Sequence, residues 1–173
     1  NSYELDFEDP THLEIGASWF SGNGCNPEIK EIDGNNVLSV RGSANISAST
    51  ARLPIVLKPG LYRYSFKYRA NPVAEADKYS LSFLASSNFA EDNTTLSAGK
   101  QIDSIINWEQ LSTENNFYIK SGTVNITEDM LSDDANKLTL MFKTSKEGDM
   151  LYIDDFYIEK VITRNYDFSE ASQ

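Results

Sequence analysis

Apolar and polar residues alternate in short runs along this chain. The runs are broken by clusters of Gly, Pro, Asn and Asp, the pattern of half-buried β-strands joined by tight turns. The clearest run covers 61–69, where Tyr62, Tyr64, Phe66 and Tyr68 alternate with Arg63, Ser65, Lys67 and Arg69. Successive side chains of a strand leave opposite faces, so this spacing predicts an aromatic face turned to a core and a basic face turned away from it. Lys58-Pro59-Gly60 supplies the turn before it. Runs of the same kind predict strands at 79–86, with Leu81, Phe83 and Ala85 opposite Ser80, Ser82 and Ser86, at 137–144, with Leu138, Leu140 and Phe142 inward, and at 150–158. Shorter strands are expected at 36–41, 51–57, 117–120 and 123–126. Turn clusters between them include Asp33-Gly34-Asn35-Asn36, Glu91-Asp92-Asn93 and Glu147-Gly148-Asp149. Helical periodicity is weak throughout. Within 127–135, Thr127 is expected to cap one short helical turn, with Glu128 and Asp129 in its first positions. About eight or nine strands, with a turn roughly every ten to fifteen residues, describe an all-β jelly-roll sandwich of two antiparallel sheets.

Length and composition narrow the classes of function. The 173 residues suit one hydrophobic core, so a single domain is expected over 1–163, with 164–173 a polar tail or the start of a linker to a neighbouring domain. A formal net charge of −11 repels phosphate backbones and anionic lipid surfaces, which argues against nucleic-acid partners and membrane insertion. No apolar run reaches the roughly 18 residues of a membrane-spanning helix. Cys25 is the only cysteine, so no internal disulfide is expected. Three Asn-X-Ser/Thr triplets begin at Asn45, Asn93 and Asn125, in a chain where Asn and Thr are common enough to produce them by chance.

The lone histidine, His12, removes Ser-His-Asp, Cys-His and His-based zinc chemistry from consideration. No glycine-rich phosphate loop or dinucleotide fingerprint occurs. Glycoside hydrolysis needs two carboxyl groups roughly 5–9.5 Å apart across a cleft, and no sequence feature singles out such a pair. The expectation is a chain without catalytic residues.

Acidic segments stand near both ends: Leu5-Asp6-Phe7-Glu8-Asp9 and Tyr152-Ile153-Asp154-Asp155-Phe156. Calcium takes six to eight oxygens from carboxylates and carbonyls, about the donor set that two acidic strand ends side by side supply. The same residues also suit plain surface carboxylates at strand edges, and spacing alone does not separate the two.

A larger succession contains these segments. Asp6-Phe7-Glu8-Asp9 is followed by Trp19, by Asn36-Val37-Leu38-Ser39-Val40, by Lys58-Pro59-Gly60-Leu61-Tyr62-Arg63-Tyr64-Ser65-Phe66, by Trp108, and by the closing Leu151-Tyr152-Ile153-Asp154-Asp155-Phe156-Tyr157-Ile158. In this order, from Leu5 to Val161, the chain resembles the carbohydrate-binding modules of the family 4, 16 and 22 type. Each piece alone is degenerate, and the specificity lies in their succession.

The resemblance implies a galactose-binding-like sandwich with a structural calcium. It carries the ligand role onto Glu8 and Asp154, with Asp6 and Asn36 beside them. It further implies an extracellular or cell-surface module, monomeric and covalently linked to neighbouring domains of a glycan-degrading protein.

Sugar recognition needs apolar platforms for the C–H faces of pyranose rings and polar groups for their hydroxyls. Trp19 and Phe20, beside Gly22-Asn23-Gly24, and Trp108, beside Glu109 and Gln110, are the aromatic candidates, followed by Tyr79 and Tyr118. Arg63, Lys67 and Arg69 share one strand face and suit either hydroxyls and uronic acids or salt bridges to neighbouring strands. An obvious matched aromatic pair on one strand is lacking, so the resemblance names no particular glycan. The alternative is a structural or adhesive β-sandwich accessory domain of a surface protein, without sugar binding. A binding module exposes its aromatics, whereas a spacer buries Trp19 and Trp108 and presents flat charged faces.

Overall fold

A computed structural model describes residues 2–14, 27–42, 49–87 and 100–162. The strands are β1 (Ser2–Leu5), β2 (Glu28–Ile32), β3 (Asn35–Arg41), β4 (Ser49–Val56), β5 (Gly60–Asn71), β6 (Lys78–Ser87), β7 (Lys100–Gln110), β8 (Tyr118–Ile126), β9 (Ala135–Thr144) and β10 (Met150–Lys160). They form two antiparallel sheets. The six-stranded sheet runs β2-β3-β10-β5-β8, with β1 on β10 beyond the end of β3, and the four-stranded sheet runs β4-β9-β6-β7. The all-β sandwich expected from alternation is what the chain forms.

Aromatic residues of both sheets close the core. Phe66 of β5 stacks on Phe156 of β10 with ring centroids 5.8 Å apart. Phe83, from β6 of the other sheet, meets Phe156 edge-on at 5.9 Å and Tyr64 at 5.1 Å. The three phenylalanines are almost wholly buried, and each contributes roughly 1.5–3 kcal/mol through the apolar surface it removes from water. Tyr62, Tyr64 and Phe66 all point inward, as the alternation predicts, and Tyr68 packs against the rim of the core.

Several expectations are corrected. Strands 117–120 and 123–126 are one continuous β8, which runs through Ser121-Gly122. Gly122 permits this because a Cβ there would stand 2.7 Å from the Tyr64 hydroxyl oxygen. Strands β1, β2 and β7 lie at sheet edges or along part of one neighbour, and β7 is further broken by three register shifts against β6, so none shows a clean two-residue period. Within 127–135 the helical turn is only Glu128–Met130, and β9 begins at Ala135. The Thr127 side chain makes no cap; its hydroxyl bonds the Asp129 carboxylate instead. Cys25, the triplets at Asn45 and Asn93, and the tail 164–173 lie outside the described residues.

At one end of the sandwich two buried aspartates join the loop after β5 to the turn before β10. Asp149 Oδ1 accepts the Val73 N–H at 2.8 Å and Oδ2 the Lys146 N–H at 3.1 Å. Asp77 Oδ2 accepts the Ala74 N–H at 2.9 Å, and Lys146 Nζ lies 3.9 Å from Asp77 Oδ1. The two carboxyl groups are coupled, and a proton shared between them accounts for the opposite directions in which they shift. Burial, reinforced by Asp77, pushes Asp149 above the ordinary 3.8, while the bond from Asp149 holds Asp77 below it.

The stabilisation from Asp149 is complete below 3.8 and is lost as pH rises through its raised folded value. That from Asp77 is present above 3.8 and is lost as pH falls through its lowered one. Asp149→Asn keeps an N–H donor toward Asp77 and has no proton to lose. Its urea midpoint is expected to stay level over the range above 3.8 in which the wild-type midpoint falls; parallel decline of the two proteins would contradict the shared proton.

Candidate functional site

The basic residues of β5 do share one face, the outer face of the six-stranded sheet, and each has a carboxylate. Arg63 Nε is 2.9 Å from Glu159 Oε2, Lys67 Nζ is 2.9 Å from Asp155 Oδ2, and Arg69 Nη1 is 3.1 Å from Asp33 Oδ2. Strand register accounts for the first, since Arg63 stands opposite Glu159 on β10. Arg69 is held further by the rings of Phe117 and Tyr152, whose centroids lie 6.0 and 5.8 Å from its guanidinium carbon. All three cations are thus ion-paired, as one of the two readings open to them expects.

Tyr79 is removed from the candidate surface. It is 1% exposed and its hydroxyl donates to the Met150 carbonyl at 3.0 Å. Tyr118 lies partly buried at the start of β8, its ring 6.0 Å from Tyr68, its hydroxyl within 3.0 Å of both Glu114 Oε2 and Ser112 Oγ. Trp19 and Phe20 lie outside the described residues.

Trp108 is different: it is 40% exposed and adopts a left-handed backbone, φ 48°. The cause is an extra residue. Tyr79 pairs with Glu109 and Leu81 with Ile106, so three residues of β7 span two of β6. The Glu109 carboxylate helps to hold this bulge by accepting the Asn107 N–H at 3.1 Å. Alternation from the Tyr79–Glu109 pair places Trp108 and Gln110 on the outer side of the four-stranded sheet. Lys78, opposite Gln110, and Ser80, opposite Lys143 of β9, share that side. An exposed indole is thereby grouped with two lysines and an amide, around the largely buried Ser80, a set suited to stacking on a pyranose and bonding its substituents. Of these residues, sequence analysis singled out Trp108 and noted Gln110 beside it. The lysines join them only through cross-strand register.

Farther along the same outer face Arg52, Glu14 and Lys137 form a charge cluster. Arg52 Nε lies 2.7 Å from Glu14 Oε2, and Lys137 Nζ 2.6 Å from Glu14 Oε1. Thr139 donates to Ser86 at 2.6 Å. Thr50, Ser82 and Leu84 complete a buried, mostly hydroxyl-bearing floor.

The two acidic chain ends also meet. Glu8 Oε1 accepts the Asn36 backbone N–H at 3.0 Å, and its Oε2 accepts the Asn36 side-chain amide at 3.2 Å. Asp154 faces the same region. Burial pushes its carboxyl up to about 6, and the negative charges of Asp155 and Glu8 add to that rise. A second bulge places it there, because Asp154 pairs with Lys67 and Tyr157 with Ser65, leaving Asp155 at φ 47°. Phe7, fully buried at φ 59°, fixes the other side. Asp6 belongs to the local turn instead: its Oδ1 accepts the Glu8 N–H at 3.1 Å and lies 3.2 Å from His12 Nδ1. Among the described residues no group of three or more His, Cys, Asp or Glu side chains forms a ready-made metal cage. Glu8 and Asp154 are carboxylates whose mutual repulsion a hard cation would relieve, with the Asn36 amide bonded to Glu8 beside them.

No sequence profile of a known family matches the chain, and no curated protein matches it. Its fold is nevertheless shared. The xylan-binding module CBM15 superposes over 95% of this chain and 99% of its own, with a TM-score of 0.58 at 10% identity. The CBM27-1 module of Caldicellulosiruptor saccharolyticus, solved with mannohexaose, covers 93% and 99% with a TM-score of 0.53 at 15% identity. The K3 cleaved adhesin domain of Lys-gingipain from Porphyromonas gingivalis covers 91% and 98%, with a TM-score of 0.51 at 13% identity. At such identities the likeness establishes architecture: this chain has the β-sandwich found in carbohydrate-binding modules.

The left-handed backbone at Trp108 orders the stability of its variants. Glycine enters that conformation without a Cβ penalty, so Trp108→Gly should be more stable than Trp108→Ala by about 1 kcal/mol, the reverse of the usual order within strands. Urea unfolding of both proteins checks this, and alanine proving equal or better would remove the strain assigned to the bulge.

Proposed function

We propose that this protein is a non-catalytic carbohydrate-binding module whose site is the outer edge of the four-stranded sheet around Trp108, with Lys78, Ser80, Gln110 and Lys143. The observation that carries the proposal is the exposure of Trp108 on a left-handed bulge, since a spacer has no use for a strained, solvent-facing indole. The solved structures that share the fold support it, one being a xylan-binding module and another a module in complex with mannohexaose. The module belongs to a larger secreted or cell-surface protein acting on glycans, as the resemblance at sequence level implies. The coupled carboxyl pair Asp77 and Asp149 is sealed within the fold rather than set across a cleft, and this supports binding over hydrolysis.

A glycan panel read by calorimetry and indole fluorescence tests the proposal. Trp108→Ala is expected to lose at least about 30-fold in affinity, roughly 2 kcal/mol for a central aromatic contact. Arg63→Gln and Lys67→Gln, on the opposite sheet, should bind as the wild type does. Binding unchanged in Trp108→Ala and lost in the β5 variants would move the site to the other face.

Calcium is proposed as a structural ion held by Glu8 and Asp154, with Asn36 beside them. It would neutralise two neighbouring carboxylates and tie the first strand's end to the last strand, and it would supply no chemistry. Millimolar calcium should raise the melting temperature of the wild type by several degrees, on the order of 1–2 kcal/mol. Glu8→Gln and Asp154→Asn should show no rise. An equal rise in all three proteins would place any bound ion elsewhere.

A further inference from the structure

The charge of the sugar is a separate question, and the residues around Trp108 bear on it. Lys78 and Lys143 flank Ser80 on one face: Ser80 stands opposite Lys143, and Lys78 precedes Ser80 by one strand repeat. The two ammonium groups are therefore diagonal neighbours across β6 and β9, within reach of one another's long side chains. Among the described residues neither lies within 4.0 Å of a carboxylate. On β5, and around Glu14, cations meet acids: Arg63 with Glu159, Lys67 with Asp155, Arg69 with Asp33, and both Arg52 and Lys137 with Glu14. What sets Lys78 and Lys143 apart is their position: two like charges stand side by side, against Coulomb repulsion, on the face that carries Trp108.

The acidic groups next in sequence to Trp108 and Lys78 are turned to other uses. Glu109 accepts from the Asn107 backbone, Asp77 is buried with Asp149, and Lys146 lies 3.9 Å from Asp77 in the adjoining turn. By contrast, the cleft between β1 and β10 on the other sheet, about 400 Å³ in volume, is lined by Glu4, Asp6 and Asp155 and repels anions. At physiological ionic strength the Debye length is about 8 Å, so a bound group senses the two lysines far more than the net charge of the whole molecule.

Resting on the glycan-binding proposal above, we infer that the ligand is an anionic polysaccharide: a pyranose stacks on Trp108 while its carboxylate or sulfate group lies between Lys78 and Lys143. Calorimetry at physiological salt tests this with four probes: polygalacturonate, the same polymer after reduction of its carboxyl groups to neutral hexose, a sulfated galactan, and a set of neutral xylan, mannan and glucan. The expected result is binding to the polyuronate or the sulfated polymer, the two arms telling carboxylate from sulfate. Lys78→Gln and Lys143→Gln should each weaken it about 2–5-fold, the range of an exposed charge contact. Carboxyl reduction should lower affinity and erase the difference between these variants and the wild type. Thermal melting confirms that the variants fold. Equal affinity for the native and reduced polymers, or for neutral glycans, with both lysine variants unchanged, would overturn the anionic inference and leave glycan binding standing. No binding to any probe by the folded wild type would overturn both.

Discussion

Phe156 must face the core, and much of the structure follows from that. It stacks on Phe66 within its own sheet and takes Phe83 edge-on from the other, so it is a point where the two layers are locked in register. Ile153, three positions earlier, also faces inward and is fully buried. In a regular strand two residues three apart leave opposite faces. The conflict is resolved by one extra residue in β10, with Asp155 in a left-handed backbone. Packing of the core thus dictates a bulge, and the bulge brings Asp154 toward Glu8 and sets Asp155 against Lys67.

The same device recurs on the opposite sheet. In β7 an extra residue between Ile106 and Glu109 leaves Trp108 strained and exposed. The two regions that carry the candidate chemistry, one for a cation and one for a sugar, are therefore the two in which an antiparallel ladder takes in an additional residue beside a non-glycine positive φ. Strain of about 1–3 kcal/mol at such a residue is sustained only because the surroundings over-determine it. Here those surroundings are the phenylalanine stack at β10 and, at β7, the Glu109 carboxylate on the Asn107 amide.

The contrast between the strands explains what was legible in the sequence. Strand β5 is central in its sheet, pairs on both edges without interruption against β8, and shows its two-residue period in plain sight. Strands β6 and β9, central in the other sheet, were legible for the same reason, and β10 was legible from its apolar residues although a bulge breaks its period. Strand β7 was not, because an edge strand with repeated register shifts has no period for a pattern to reveal. The acidic ends could be matched to a family pattern, and within it Glu8 bonds Asn36 while Asp154 senses the charge of Glu8. Asp6, with the same chemistry two residues from Glu8, belongs instead to a local turn that spacing does not encode. Lys78 and Lys143 are 65 positions apart and carry no local signal. Only strand register makes them neighbours, as it gives Arg63 the partner Glu159.

The position of Trp108 on an outermost strand also bears on how such a surface changes over generations. Among the described residues β7 pairs along one margin alone, so loss or gain of a single residue there is absorbed without disturbing a second described ladder. Removing the extra residue would turn the segment between Ile106 and Glu109 over and exchange the indole for a different group at the surface, while Phe66, Phe83 and Phe156 stayed in place. Ligand preference in this architecture is thus open to revision by short insertions and deletions, with the hydrophobic interior as a fixed chassis.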